Sequence, residues 1–97
     1  MELRFEWDSR KAAGNVAKHG ISFEEASTVF GDPLGRIVGD PRHSEEERRF
    51  VLMGRSKAGR FLAVMFTERG ESVRLISARR AAGRERKQYE KNRTEDW

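Results

Sequence analysis

The stretch RFLAVMFTE, residues 60–68, decides the fold of this 97-residue chain. In an extended strand, successive side chains point to opposite faces. Both faces would be apolar here, with Phe61, Ala63 and Met65 on one and Leu62, Val64 and Phe66 on the other. Two apolar faces are typical of a strand in the buried middle of a sheet, so we predict a central strand.

Two more apolar runs flank this strand, RRFVLMG at residues 48–54 and SVRLISA at residues 72–78. The connecting loops, RSKAG and RGE, contain glycines that suit the left-handed position of short hairpin loops. The runs therefore predict an antiparallel meander. A weak strand at residues 36–38 precedes them, so the meander has three or four strands.

Helices are predicted both before and after the meander in the sequence. After ELRFEW, which alternates like a half-buried strand, residues 9–19 show helical spacing between a capping Asp8 and a terminating Gly20. Ser22 and Glu25 form an S-x-x-E capping box that starts a second helix. After residue 78 the pattern becomes helical again over residues 83–92. We therefore predict one small α+β domain over residues 1–97, with two N-terminal helices and a C-terminal helix packed on one face of the meander sheet.

Charge is distributed unevenly along the chain, although the net charge is only +4. Residues 1–40 carry five basic and seven acidic groups, whereas residues 51–97 carry twelve and six. A basic half is typical of a protein that binds a polyanion, most often a nucleic acid. The alternative is a surface of lysines and arginines that contacts only solvent.

Several function classes are excluded or disfavoured by the composition. The chain has no cysteine, which excludes disulfides and thiolate chemistry and suits a reducing compartment, so we expect the cytoplasm. No stretch approaches the ~20 apolar residues of a membrane span, and no membrane partner is expected. The two histidines, His19 and His43, lack metal-ligand spacing, and no phosphate-binding loop or nucleophile motif occurs, so neither a metal nor another cofactor is expected.

The strongest candidate site is the pair Arg79 and Arg80, where the last predicted strand ends. A meander would bring Arg60, at the start of the neighbouring strand, close to this pair. Guanidinium groups match phosphate geometry, and a rigid sheet end holds them ready to stabilise an anionic transition state. The alternative is an arginine-rich surface without a ligand.

Further residues are candidates for proton transfer and for binding. His19 and Glu68 are the candidates for a general base, although a histidine before a helix-ending glycine more often balances the helix dipole. His43 is a weaker candidate of the same kind. Tyr89 either stacks on a base or closes the last helix onto the core. The candidates for RNA binding are Lys57, Arg69, Arg84, Lys87 and Tyr89.

Six blocks in this order resemble the BrnT family of bacterial type II toxins: FEWD, KHGISFEEASTVF, DP, HSEEERR, GRFLAVMFTERG and RLISARRA. The resemblance covers residues 5–89. It implies a fold similar to the RelE group of ribonuclease toxins, growth arrest through RNA cleavage, and a BrnA-like antitoxin with a ribbon-helix-helix DNA-binding part. The resemblance also allows a dimer of the toxin within the toxin-antitoxin complex. Where the family commonly has threonine, this chain has Ala82, which predicts a weakly capped and late-starting last helix.

These observations lead to two hypotheses from different classes. In the first, the chain is a metal-independent endoribonuclease in which the ribose 2′-OH attacks its own adjacent phosphate while Arg60, Arg79 and Arg80 hold that phosphate. In the second, the same basic half is a non-catalytic module that binds nucleic acid or an acidic protein. Detecting a cleavage product would separate the two.

Overall fold

A computed structural model describes residues 3–39 and 48–95, with side chains described up to residue 91, so His43 lies outside the described residues. In chain order the elements are β1 (Arg4–Glu6), α1 (Ser9–His19), α2 (Phe23–Thr28), β2 (Arg36–Gly39), β3 (Arg49–Arg55), β4 (Phe61–Arg69), β5 (Ser72–Arg80) and α3 (Gly83–Glu95). A short 3-10 turn, Val29–Gly31, follows α2. The predicted α+β class and the three helices are confirmed.

The sheet has five strands in the order β1-β5-β4-β3-β2, which puts β4 in the middle as predicted. Strands β2 to β5 form an antiparallel meander, so the weak strand is its fourth member. Gly59 in the β3–β4 loop has a φ of 86°, and Gly70 in the β4–β5 hairpin has a φ of 57°. Both hairpins therefore use the left-handed conformation that glycine adopts without strain.

The strand β1 departs from a purely antiparallel sheet. It pairs in parallel with β5, with Arg4 opposite Ser72 and Glu6 opposite Arg74. Antiparallel neighbours can be joined by a tight turn. By contrast, β1 and β5 are separated in the sequence by all the other strands of the sheet. No local sequence pattern reveals such a pairing, so the partner of the first strand could not be predicted.

The two N-terminal helices begin and end where the sequence predicts. The carboxylate of Asp8 accepts from the backbone N–H groups of Arg10 and Lys11, and Gly20 ends α1 in the left-handed conformation. Ser22 Oγ accepts from the Glu25 N–H at 3.0 Å and caps α2. These helices bury one face of the sheet, and the core is formed by Ile21, Phe23, Ala26, Val29, Leu52, Leu62, Val64, Phe66, Val73, Leu75 and Ala78.

The last helix, α3, differs from the expectation in two ways. It begins at Gly83 without delay, because the Glu85 carboxylate accepts from the Ala82 N–H at 2.7 Å and satisfies one terminal amide. Its Tyr89 ring packs edge-on against Phe61, with ring centroids 4.9 Å apart. Phe61 points to the face opposite Leu62, so α3 does not share the face that α1 and α2 cover.

Within the described part of the chain, no helix is long and apolar enough to cross a membrane.

Candidate nucleic-acid interface

Basic side chains gather at the end of the sheet where β3 ends, β4 begins and β5 ends. Arg80 lies opposite Leu62 and Arg79 opposite Ala63, so the end of β5 is beside the start of β4, as the meander predicts. The Ala81 N–H donates to the Phe61 carbonyl at 2.9 Å and closes this corner. We call these five cations the basic rim: Arg55, Lys57, Arg60, Arg79 and Arg80.

Arg60 is held by an acidic partner inside the rim. Its Nε donates to Glu25 Oε2 at 2.9 Å, and its Nη2 donates to Glu25 Oε1 and to the Gly20 carbonyl. Ser56 Oγ donates to the same carboxylate at 2.7 Å. The hydrogen bonds from Arg60, opposed by burial and assisted by Ser56, lower the pKa of the Glu25 carboxyl. Glu25 therefore carries a full negative charge that neutralises Arg60.

Arg79 is neutralised in the same manner. Its two terminal nitrogens donate to Glu85 Oε1 at 2.8 Å and Oε2 at 3.1 Å, which is the bidentate geometry of a strong ion pair. These hydrogen bonds lower the pKa of Glu85 despite partial burial. We predicted that Arg60, Arg79 and Arg80 together hold phosphate. In the structure Arg60 is paired with Glu25, which is far from it in sequence, and Arg79 is paired with Glu85 of the next helix, so the phosphate-holding role of the three together stays a prediction.

Arg80 is the exposed cation at the end of β5, and it differs from its two neighbours. Among residues 3–39 and 48–91, whose side chains are described, its guanidinium has no hydrogen bond or ion pair. Its charge is among those that act on Glu25, so it lies on the same side of the rim as the Arg60–Glu25 pair. Arg80 is thus positioned by the sheet, and its charge is available to an anion.

His19 lies at the same end of the molecule as Arg80. Helix α1 runs along β5: Asp8 at its start interacts electrostatically with Arg74, and Asn15 is hydrogen-bonded to Ala78. From Asn15, His19 is one turn onward, about 6 Å along the helix. From Ala78, Arg80 is two residues onward, about 7 Å along the strand. Both residues therefore lie at the end of the molecule that carries the basic rim.

Asn15 is a buried residue that the sequence analysis missed. It is 6% exposed, and its Nδ2 donates to the carbonyls of Ile21 at 2.9 Å and Ala78 at 2.8 Å. Its Oδ1 accepts from the Ala78 N–H at 3.0 Å. A polar residue among alanines of a short helix gives no signal of such a role. Asn15 fixes both the turn after His19 and the strand end that carries Arg80.

The structure separates Glu68 and Arg69 from this site. Both lie at the far end of β4, where it turns into β5. Glu68 is seven positions after Phe61, which corresponds to about 23 Å along a strand. Glu68 cannot reach a phosphate held at the basic rim, so of the two candidate bases only His19 suits a site there. Arg69 is equally distant from that phosphate.

Tyr89 belongs to the core and is only 6% exposed. Its hydroxyl donates to Asp32 Oδ2 at 2.8 Å and its ring packs on Phe61, so neither ring face is open to a base. Of the two alternatives stated for Tyr89, the structure favours the one in which it closes the last helix onto the core. Lys57 in the β3–β4 loop, together with Arg84 and Lys87 on α3, is exposed, and these cations stay candidates for RNA contacts.

Asp32 is a second important residue that the sequence did not reveal. Burial alone would raise the pKa of its carboxyl, but hydrogen bonds from the Arg55 N–H, the Leu34 N–H and the Tyr89 hydroxyl outweigh it and lower that pKa. The carboxylate thereby joins the turn after α2, the end of β3 and α3. These elements enclose an open cleft of about 380 Å³ beside the basic rim.

No three acidic or histidine side chains come together as a metal site anywhere in residues 3–39 and 48–91.

Two comparisons with known proteins bear on these observations. Residues 7–85 match the family described as "Ribonuclease toxin, BrnT, of type II toxin-antitoxin system". The fold is similar to the crystal structure of the Brucella abortus ribonuclease toxin BrnT, with a TM-score of 0.61 and 24% sequence identity. That match covers 84% of this chain and 99% of the Brucella chain. A search of curated protein sequences gave no match.

Proposed function

The chain belongs to the family of BrnT ribonuclease toxins of type II toxin-antitoxin systems, and we propose that it cleaves RNA at the basic rim without a metal ion. The observation that carries this proposal is the position of Arg80. It is an unpaired guanidinium fixed at a strand end, on the side of the rim toward which α1 directs His19. Charge fixed in advance is what the transition state of phosphodiester cleavage requires.

The proposed reaction is attack by the ribose 2′-OH on the adjacent phosphorus. A bond forms between O2′ and phosphorus while the bond from phosphorus to the 5′-oxygen breaks, giving a 2′,3′-cyclic phosphate and a 5′-hydroxyl. The proton leaves the 2′-OH to a base, and the departing 5′-oxygen takes a proton from water. Because DNA has no 2′-OH, the substrate class is RNA.

Arg80 stabilises the negative charge that grows on the non-bridging phosphate oxygens. A guanidinium presents several N–H donors in one plane and matches these oxygens. The Arg60–Glu25 pair has a different task. It joins the β3–β4 loop to α2 and to the Gly20 carbonyl. These contacts hold the loop and the α1–α2 turn rigid beside Arg80. Arg60 is in this account a positioning residue.

His19 is our candidate for the base. An imidazole can accept a proton at neutral pH, and the side chain is partly exposed with no hydrogen-bond partner among the residues described around it. A neighbouring carboxylate, Glu25, is a poor alternative. Its lowered pKa makes it a weak proton acceptor.

The partner implied by the family is an antitoxin, and we propose a BrnA-like protein with a ribbon-helix-helix part. A partner that neutralises this toxin by covering the basic rim needs complementary charge, so we expect an acidic segment at the contact. Because the proposed substrate is cellular RNA, we propose that the toxin acts in the cytoplasm.

The experiment is cleavage of RNA by purified protein in excess chelator. We expect products that end in a 2′,3′-cyclic phosphate, and no cleavage at a mapped position when its nucleotide is replaced by the 2′-deoxy form. Salt-sensitive binding without any product would instead favour the non-catalytic module. Cleavage of the 2′-deoxy substrate would exclude the proposed reaction.

A further inference from the structure

The open cleft beside the basic rim lies between the end of α2, the β3–β4 loop and α3. The residues that line this cleft include Thr28, Asp32, Arg55, Ser56, Lys57 and Tyr89. It adjoins the Arg60–Glu25 pair through Ser56, whose hydroxyl donates to Glu25 and accepts from the Arg60 N–H. The cleft and the proposed cleavage site are therefore parts of one continuous surface.

The hydroxyls and the carboxylate of this cleft already have partners within the protein. Thr28 Oγ1 donates to the Glu25 carbonyl at 2.6 Å and accepts from the Lys57 N–H at 2.8 Å. The Asp32 carboxylate accepts from two backbone N–H groups and from Tyr89. A neutral polar ligand thus finds few unmade hydrogen bonds in the cleft.

The side chains of Arg55 and Lys57 are the exception. Neither forms a hydrogen bond or ion pair with the described residues, and both are exposed. The Arg55 guanidinium lies over the Phe61 ring, 4.5 Å from its centroid, which holds its position without neutralising its charge. The Asp32 carboxylate in the cleft is also charged and interacts electrostatically with Arg55. Two cations against one carboxylate leave the cleft positive, which favours an anion.

The two unpaired groups of the rim are too far apart to hold one phosphate. Arg80 is on β5 and Arg55 on β3, and each lies opposite one of the neighbouring residues Leu62 and Phe61 of β4. Two strand spacings, about 10 Å, separate the two backbones, and the two side chains leave opposite faces of the sheet because Phe61 and Leu62 do. Between them lies the Arg60–Glu25 pair, which is already neutral.

We infer that Arg55 and Lys57 form a second phosphate site, which holds the backbone of the RNA strand one or more nucleotides away from the bond that is cut. The inference rests on the proposed function, since it takes the Arg80 side of the rim as the cleavage site. An open cleft with cations at its edge suits a backbone phosphate, which stays partly in water. RNA would thus pass over the end of the sheet, from Arg80 on the face that α1 and α2 cover to Arg55 on the face of α3.

The test is the salt dependence of binding to a short, fully 2′-O-methylated RNA, which lacks the attacking hydroxyl and cannot be cut. Affinity is measured by fluorescence anisotropy over a range of salt concentrations. For single strands, the slope of log K against log salt is about 0.7 per phosphate contact. We expect Lys57→Gln and Arg55→Gln each to reduce the slope by about 0.7, and the double variant by about 1.4.

Arg10→Gln is the matched control. Arg10 is an exposed cation in the first turn of α1, about 15 Å along the helix from the rim, and its loss should leave the slope unchanged. Slopes for Lys57→Gln and Arg55→Gln that equal the wild-type slope would overturn the site. If Arg55→Gln fails to fold, Lys57→Gln decides alone, because the Lys57 side chain contacts no described partner.

A second probe locates the contact on the RNA. An uncharged methylphosphonate is placed at one linkage at a time. At one of the linkages other than the cleavage position, the methylphosphonate should weaken binding to the wild-type protein but not to the double variant. Equal weakening in both proteins at every linkage would refute the site. If the wild-type protein binds as expected but cuts no unmodified RNA, the phosphate site stands and the proposed ribonuclease reaction falls.

Discussion

Asn15 holds the end of β5 through both backbone groups of Ala78, donating to its carbonyl at 2.8 Å and accepting from its N–H at 3.0 Å. The same amide donates to Ile21 across the α1–α2 turn. One buried side chain thereby fixes the two chain segments that carry His19 and Arg80.

Replacing Asn15 by alanine should strongly destabilise the protein. The change leaves two carbonyls and one N–H group buried without partners, at about 1–3 kcal/mol each. We expect a loss of roughly 3 kcal/mol or more in the free energy of unfolding, measured by urea titration. Val16→Ala, at an exposed neighbouring position, is the control and should change stability by less than ~0.5 kcal/mol. A similar small change for Asn15→Ala would contradict the clamp.

Stability should fall in acid because of Glu25, Asp32 and Glu85. The pKa of each carboxyl is lower in the folded protein than in the unfolded chain. Their stabilisation is therefore fully present above the unfolded pKa values of about 4, and it is lost as pH falls through the folded ones.

The variant Glu25→Gln isolates one of these contributions. It should be less stable than the wild type at pH 7, and the difference should shrink as pH falls below about 4, because the unfolded chain then gains a proton that folded Glu25, whose pKa is lowered, takes up only at lower pH. Urea unfolding midpoints measured across this range provide the check. A difference that stays constant with pH would show that the ionised carboxylate is not what stabilises the fold.

Tyr89 should matter for folding and not for RNA. Tyr89→Phe removes the hydrogen bond to Asp32 and should cost about 1–2 kcal/mol of stability, seen in thermal or urea unfolding. Tyr89→Leu also removes the ring and should be less stable still. In conditions where it is folded, its affinity for RNA should match the wild type. A marked fall in affinity would restore the stacking role that burial argues against.

His19→Ala should lower kcat without a matching rise in KM. General-base catalysis typically contributes 10²–10⁴-fold, so a loss of at least about 100-fold is expected in a cleavage assay. Glu68→Gln, at the far end of β4, should cleave at close to the wild-type rate. The reverse result, a large loss for Glu68→Gln and none for His19→Ala, would contradict the assignment of His19 as the base.

The regular elements could be predicted because their signals are local. The two apolar faces of residues 61–66 indicate a central strand. Asp8 and Ser22 mark helix starts because their side chains accept hydrogen bonds from nearby backbone N–H groups, and Gly20 marks a helix end because it adopts the left-handed conformation. The parallel pairing of β1 with β5 depends on residues more than sixty positions apart. Nothing within a short window of sequence distinguishes that pairing from others.

The site was predicted only in part, because charge pairing is a tertiary property. Arg60, Arg79 and Arg80 are alike in sequence, but only the fold brings Glu25 to the first and Glu85 to the second. Glu25 was assigned to a capping box, and its carboxylate instead binds Arg60. The sequence places Arg60, Arg79 and Arg80 at one end of the sheet, but it could not determine which of these cations is unpaired.

The most direct test of this account compares Arg80→Gln with Arg79→Gln in RNA cleavage under excess chelator. Removing a group that stabilises transition-state charge typically lowers kcat by about 10²–10³. We predict a loss of this size for Arg80→Gln and a change of no more than a few-fold for Arg79→Gln, whose charge Glu85 already neutralises. A large loss for Arg79→Gln with Arg80→Gln near wild type, or activity that disappears with chelator, would contradict the account.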